Sequence, residues 1–324
     1  MPTAQREELI KVAKLYYHGN CSQDEIANLM GYSRPRVSRM LTMARELKIV
    51  EFRISDSPDE IERMEKQLKE RLGLKDVCIL PSESGRLGTM YAAGICAGEY
   101  LNNILQPGMR IGISWGATID VTVSQFKPEK KYNTVKVVQM IGGSPKSSFN
   151  IDCQGLTIRM ATKLGATYSI LQTPQYVSSK AVRDMLMEEP DIKAHFALLK
   201  TLDAALISIS SNKPEHSGAY RAGYMSIEDV KALAESGFVT DVSGIRIYKD
   251  GSLRNNDIND KLIAISAEDL KRIPYAIAVA VGEEKAETIT TVAKGGFFNI
   301  LITDEVAAIS ILGRTEEKEA GAFK

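Results

Sequence analysis

The run IGISWGAT places Gly112, Ser114, Gly116 and Thr118 at alternate positions, between an apolar stretch and a segment of helical character. Glycines let the backbone approach an anion, the first N–H groups of a helix lack partners, and the two hydroxyls add donors. The chemistry this spacing predicts is anion binding, with phosphate the natural guest. The spacing is not that of the GxxxxGKS nucleotide loop. Two further loops have the same character. Gly142-Gly143-Ser144 follows VKVVQMI, and Gly282-Glu283-Glu284-Lys285 follows YAIAVAV and opens a helix. Lys285 is either a cation closing over a phosphate or a solvated first-turn lysine.

A second constellation is basic. Ser22 can cap a helix and Glu25 completes a capping box. Ile26, Ala27, Leu29 and Met30 follow, and Gly31 supplies the φ > 0 turn. Ser33 then caps RPRVSRMLTMARELK, with Pro35 in its first turn, Val37, Met40, Leu41 and Ala44 inward, and Arg34, Arg36, Ser38 and Arg39 outward. Short helix, glycine turn and capped basic helix predict a helix-turn-helix whose second helix enters the major groove. Arginine there pairs with guanine or phosphate. The expected DNA surface is Ser22, Gln23, Ser33, Arg34, Arg36, Ser38 and Arg39, reading double-stranded operator DNA. The tail IVEFRIS alternates as a wing or connecting strand, and Arg45, Lys48 and Arg53 are either phosphate contacts or solvated.

Other chemistry is weakly represented. Cys21, Cys78, Cys96 and Cys153 show no CxxC spacing and no neighbouring histidine, so they read as small buried filler in a reducing compartment. His18, His195 and His216 are isolated, which argues against a metal site, and no cofactor is expected. Of the carboxylates open to general-base work, Asp152, Asp203 and Asp241 each read as cap or turn residues. His216 lies in a loop with Pro214 and Gly218. An isomerase or deaminase fused to a DNA-binding module is the alternative reading, and a regulator without catalysis is preferred.

The 324 residues hold 41 basic and 41 acidic side chains, but residues 1–54 carry nine basic against six acidic. A small basic end on an acidic body agrees with the DNA-binding unit. Residues 6–17 form its first helix, with Leu9, Ile10, Val12, Ala13, Tyr16 and Tyr17 at helical spacing. Ser55-Asp56-Ser57-Pro58 reads as a boundary. Residues 55–75 read as a linker helix whose stripe Ile61, Met64, Leu68, Leu72 packs on the body or pairs two copies. Beyond residue 76, apolar runs at 77–80, 109–114, 135–141, 166–171, 204–210, 275–281 and 299–303 alternate with helices such as 150–164, 179–188 and 283–294. That pattern predicts an α/β effector domain over 76–318, with a largely parallel sheet and its ligand beyond the carboxyl ends of the strands. No signal-like or membrane-length apolar run occurs, so the expected location is the cytoplasm.

At AKLYYHGNCSQDEIANLMGYSRPRVSRML, IGISWGAT, VVQMIGG, YRAGYMS, VGEEKAETI and GGFFNILITDE the chain resembles the SorC family of bacterial sugar-binding transcriptional regulators, over nearly its whole length. The resemblance implies a winged helix-turn-helix joined to a Rossmann-like domain similar to sugar-phosphate isomerases. It also implies dimers or tetramers on an operator and a phosphorylated sugar or polyol as effector. Gly112, Ser114, Gly116 and Thr118 would line the phosphate side, and Gly142, Gly143, Gln172, Gly282 and Lys285 the rest. There are departures: Ser208-Ile209-Ser210 replaces a glycine-containing turn, the carboxylate for sugar hydroxyls is absent or displaced to Asp250, and Ile141 stands where an imine-forming lysine would be.

Overall fold

The computed structural model describes residues 3–17, 21–47, 49–50, 58–82, 85–143, 152–211, 213, 217, 220, 226–254 and 257–321. They divide into one compact unit of residues 1–60 with 82–88 and another of residues 61–81 with 89–324.

The first unit is built on α1 (Thr3–Tyr17), α2 (Gln23–Met30) and α3 (Arg34–Glu46). Their apolar spacing buries Leu9, Val12, Ala13, Ile26, Ala27, Val37, Leu41 and Ala44. The capping box is present: the Glu25 N–H donates to Ser22 Oγ at 3.2 Å and the Ser22 N–H to the Glu25 carboxylate at 2.7 Å. Those bonds hold the Glu25 carboxyl below its ordinary range. Gly31 ends α2 at φ 65°, the left-handed conformation that the turn requires. Ser33 departs from expectation, because its backbone is extended as an N-cap but its side chain makes no cap bond. Ile49 and Val50 donate to the Ala44 carbonyl. Lys48, Arg53 and the expected wing beyond residue 50 lie outside the described residues.

The second unit begins inside α4 (Pro58–Leu72), where Met64 and Leu68 enter the body core and Ile61 and Leu72 pack against it. From Ile61 onward the linker helix packs on the body, the first of the two readings its stripe allows. The chain continues through β1 (Asp76–Leu80), α5 (Gly85–Ile104), β2 (Arg110–Ile113), α6 (Ala117–Gln125), β3 (Lys136–Gln139), α7 (Cys153–Leu164) and β4 (Thr167–Ser169). Next come α8 (Lys180–Met187), α9 (Pro190–Leu199), β5 (Ala204–Ser208), α10 (Ile227–Glu235), β6 (Phe238–Val242) and β7 (Ile245–Tyr248). It ends with α11 (Asp257–Asp260), α12 (Ala267–Lys271), β8 (Tyr275–Val279), α13 (Ala286–Lys294), β9 (Ile300–Asp304) and α14 (Glu305–Gly321).

Seven strands form a parallel sheet in the order β1-β9-β8-β5-β2-β3-β4. All seven apolar runs are strands, shortened where the chain leaves the sheet for its loops. Helices cover both faces: α4, α13 and α14 on one side, α5, α6 and α7 on the other. Burial on both faces is why the strands read as continuous apolar runs.

Two features were not expected. The antiparallel hairpin β6–β7 turns through Ser243 at φ 48° and Gly244 at φ 80°, both left-handed as a two-residue hairpin turn requires. Cys78 and Cys96, separate in sequence, meet with their sulfurs 2.8 Å apart and neither fully buried. Cys153 does match the filler reading, buried and donating to the Ile113 carbonyl at 3.0 Å. No helix among the described residues is long and apolar enough to cross a membrane.

Candidate functional site

The strand order locates the site. From β2 the chain passes through α6 to β3 on one side, and after β4 it returns to place β5 on the other side of β2. Adjacent strands whose onward connections leave in opposite directions open a crevice at their carboxyl ends. Here its walls are Ser114-Trp115-Gly116 after β2 and Ser208-Ile209-Ser210 at the end of β5.

Gly116 is the N-cap of α6, with φ 124° and no side chain to cap it, so the first-turn donors at Ala117 and Thr118 receive no N-cap side-chain bond among the described residues. A Cβ here would sit 2.8 Å from Ser208 Oγ, which itself donates to the Trp115 carbonyl at 2.7 Å. The two loops approach so closely that only glycine fits. Arg159 of α7 holds the outer side of α6, donating to Asp120 at 2.7 Å and to Ser124 at 2.6 Å. Ser114 is fully buried, and its hydroxyl accepts from Ser243 Oγ at 3.1 Å.

Lys285 reaches the same crevice from the start of α13. It is not a solvated lysine: it is 8% exposed, and its ammonium donates to the Ile209 carbonyl at 2.8 Å. Gly282 precedes it at φ 100°, with its N–H on Asp304 Oδ1 at 2.8 Å and the Glu284 carboxylate folded against its Cα. That second helix start already has an anion beside it, so α6 offers the more open donor set.

The hairpin β6–β7 closes one wall of the crevice. Ile209 bridges Val242, and Ser210 N–H donates to the Asp241 carbonyl at 3.2 Å. The Asp241 carboxylate pairs with Arg246 at 3.0 Å, both side chains 5% exposed, and accepts from Ser210 Oγ and the Gly244 N–H. Tyr176 donates its hydroxyl to the Gly244 carbonyl at 3.1 Å, and burial pushes its phenol above the ordinary range. Asp241 is more than the turn residue expected. The signal was available in the alternation of TDVSGIRIY, whose cross-strand register sets Asp241 opposite Arg246.

Several expected site residues lie elsewhere or serve the scaffold. Gly112 is mid-strand, and Met140 and Leu202 occupy the space its Cβ would take. Gly142 is required by the Pro174 carbonyl, and Gly143 exchanges backbone bonds with Thr173 and Gln175. Gly112 and Gly142 admit neighbouring protein atoms to close approach, whereas a Cβ on Gly143 would meet nothing within 4 Å. Gln172 is exposed on the loop beside them. Asp250 is a clear correction. Gly251 abuts Gly295, at the far end of α13, about 15 Å along the helix from Lys285. Its carboxylate is engaged by Ser252 and Arg254, which hold its pKa at about 2.

Asp152 caps α7, and Asp203 accepts the Arg110 N–H at 2.8 Å. His216, Pro214, Gly218 and Ser144 lie outside the described residues. A basic depression of about 500 Å³ sits at the opposite end of α6, lined by Lys127, Lys130, Lys131 and Lys163. There Lys163 satisfies the Ser124 and Phe126 carbonyls, each at 2.8 Å, which is helix capping rather than ligand recognition.

In the first unit, Arg34, Arg36, Ser38 and Arg39 are all exposed on α3. Arg39 lies opposite the buried row Val37, Leu41, Ala44, and Ser38 lies on a flank. Arg36 lies on a flank, 3.9 Å over the Tyr32 ring and 3.8 Å from Glu8. Arg34 is 3.6 Å from Asp24. Ser22 is committed to its capping box, and Gln23 is partly buried in the first turn of α2.

A helix-turn-helix followed by a parallel α/β body with a polar switch-point crevice defines the class: a DNA-binding regulator carrying an effector domain. Residues 57–313 match the family model described as "Putative sugar-binding domain". The chain is 29% identical over 310 residues to the sorbitol operon regulator of Klebsiella pneumoniae, covering 94% of this chain and 97% of that one. It is 27% identical over 313 residues to the deoxyribonucleoside regulator of Bacillus subtilis strain 168, covering 96% and 99%. The crystal structure of the full-length Klebsiella pneumoniae regulator SorC superposes with a TM-score of 0.72 at 28% identity, covering 94% and 98%. This chain belongs to the SorC family of sugar-binding transcriptional regulators. Its relatives are named as transcriptional and operon regulators, and this chain is a regulator of a carbohydrate operon and not an enzyme.

Proposed function

We propose that the crevice between β2 and β5 binds a phosphorylated sugar or polyol, and that occupancy changes the affinity of the helix-turn-helix for its operator. The observation that carries this reading is that the uncapped start of α6 at Gly116 packs on Ser208 while the buried ammonium of Lys285 is held on the carbonyl of the next residue, Ile209. Helix donors and a buried cation together suit a dianion better than a neutral sugar. Ser114, Gly116, Thr118 and Lys285 hold the phosphate, with Gly282 beside them, and Gly143 and Gln172 border the sugar. The names of the relatives point to a sorbitol operon in one case and deoxyribonucleosides in another, which fits a shared scaffold reading different polyols.

On DNA, Ser33, Arg34, Arg36, Ser38 and Arg39 present the reading surface of α3, and Ser22 and Gln23 support the start of α2. An even-numbered assembly, dimer or tetramer, places two such helices on paired half-sites. The linkage is reciprocal: an effector that favours one arrangement shifts operator affinity by the difference, and DNA shifts effector affinity equally.

The experiment is an operator titration with and without the effector, on wild type, Arg39→Ala and Thr118→Val. Arg39→Ala is expected to weaken specific binding by about 1–3 kcal/mol. Thr118→Val is expected to bind operator as wild type does and to ignore the effector. Full effector response in Thr118→Val removes α6 from the site. Unchanged operator affinity in Arg39→Ala removes that arginine from the reading surface.

A further inference from the structure

Cys78 lies at the centre of the edge strand β1 and Cys96 on α5, and their sulfurs are 2.8 Å apart. Both are half-buried and pack against the same apolar cluster. A disulfide needs about 2.05 Å between sulfurs, so bonding closes a gap of less than about 1 Å. The two thiols are not equivalent. The hydrogen bond between the two sulfurs draws the Cys78 thiol below its ordinary range, while the same bond and burial push Cys96 far above it. Cys78 is the nucleophile of the pair and Cys96 the resolving thiol.

Their surroundings select the oxidant. Glu65, Asp76 and Glu99 all act on the pair with negative charge. Glu65 is held by the Ile79 N–H at 2.8 Å and Asp76 by the Tyr100 hydroxyl at 3.0 Å, so two of these carboxylates are fixed beside the sulfurs. An acidic rim repels an anionic oxidant such as glutathione disulfide and admits a small neutral one.

We propose that Cys78 and Cys96 form a peroxide-responsive thiol pair that closes to a reversible disulfide joining β1 to α5. The Cys78 thiolate attacks one oxygen of hydrogen peroxide, the O–O bond breaks, and the departing hydroxide takes a proton to leave as water. Cys96 then attacks the Cys78 sulfenic sulfur. The S–S bond forms, the S–O bond breaks, and the Cys96 proton leaves with the hydroxide as a second water. Two thiols are oxidised and one peroxide is reduced to two waters. The remaining cysteines take no part: burial pushes Cys153 up to about 12, and Cys21 is in the other unit. The bond closes the chain between residues 78 and 96 into a loop, which restricts the unfolded state and raises the melting temperature.

The test treats the full chain with hydrogen peroxide or with glutathione disulfide, followed by peptide mapping and thermal melting. The expected product is a peptide linking residue 78 to residue 96, with a higher melting temperature, both reversed by dithiothreitol. In Cys96→Ser the expected product is a sulfenic acid on Cys78 trapped by dimedone, and Cys78→Ser is expected to give no dimedone adduct. Glutathione disulfide is expected to act more slowly than peroxide. Both thiols remaining free under peroxide, or a lasting sulfenic acid in wild type, overturns the pair. Equal rates with the two oxidants overturn the selection by the acidic rim.

Discussion

Asp241 and Arg246 show how a crevice wall is held rigid by a few atoms. Their carboxylate and guanidinium meet at 3.0 Å with both side chains almost wholly buried, so each compensates the other's desolvation. Replacing Asp241 by alanine leaves Arg246 buried without its counter-ion. The expected loss is about 3–5 kcal/mol in a urea titration, whereas breaking an exposed pair such as Lys180–Asp184 is expected to change stability little. A loss below that of the exposed pair contradicts the buried assignment.

His195 carries a different dependence. Its Nε2 donates to the Gln139 carbonyl at 2.7 Å, leaving Nδ1 to accept from Ser169 Oγ at 2.9 Å. Burial is the larger influence and holds its pKa below the ordinary 6.5. The folded state therefore binds fewer protons, and the stability it contributes is whole above about pH 6.5 and is lost as pH falls through the folded value. Urea midpoints for wild type are expected to fall from pH 7 to pH 5, and to fall less in His195→Gln. Identical pH profiles contradict the neutral, buried imidazole.

At the scale of elements, the two helix starts of the first unit separate structure from recognition. Ser22 exchanges two bonds with Glu25, while Ser33 makes no cap bond although it occupies the same kind of position. Ser22→Ala is expected to cost about 1 kcal/mol in thermal or urea unfolding, and Ser33→Ala much less. Equal losses contradict the distinction.

Elements with strong local signals were legible in the sequence. The capping box, Gly31, Pro35 and the seven apolar runs each express a short-range rule, and all have their counterparts in the structure. The hairpin β6–β7 was missed although TDVSGIRIY alternates, because its turn is Ser-Gly rather than Asn-Gly and a bulge between Phe238 and Thr240 leaves the alternating segment short. Asp250 was misplaced because nothing local shows that residue 251 packs at the far end of α13. Gly112 and Gly142 were taken for ligand-facing glycines because a close approach by protein looks the same in sequence as a close approach by ligand. The sequence leaves Lys285 open between a buried cation and a solvated lysine, because its burial on Ile209 is a tertiary fact.

For the whole molecule, the sheet order matters more than any one loop. It takes Ser114–Thr118, Ser208–Ser210, Asp241–Arg246 and Lys285, far apart in the chain, to one switch point. On the proposed reading, a basic three-helix unit joined to an acidic sugar-binding body couples a metabolite signal to DNA through differences in affinity. The central claim is that this switch point recognises phosphate. It is tested most directly by thermal-shift titration of wild type and Lys285→Met against matched pairs of phosphorylated and free sugars and polyols. At 100 times its dissociation constant a ligand stabilises the native state by about 2.7 kcal/mol, a shift of several degrees for a domain of this size. The predicted result is a shift from one phosphorylated compound, none from its free form, and a much smaller one in Lys285→Met. Equal shifts from the free and phosphorylated forms, or an undiminished shift in the variant, would contradict phosphate recognition at this crevice.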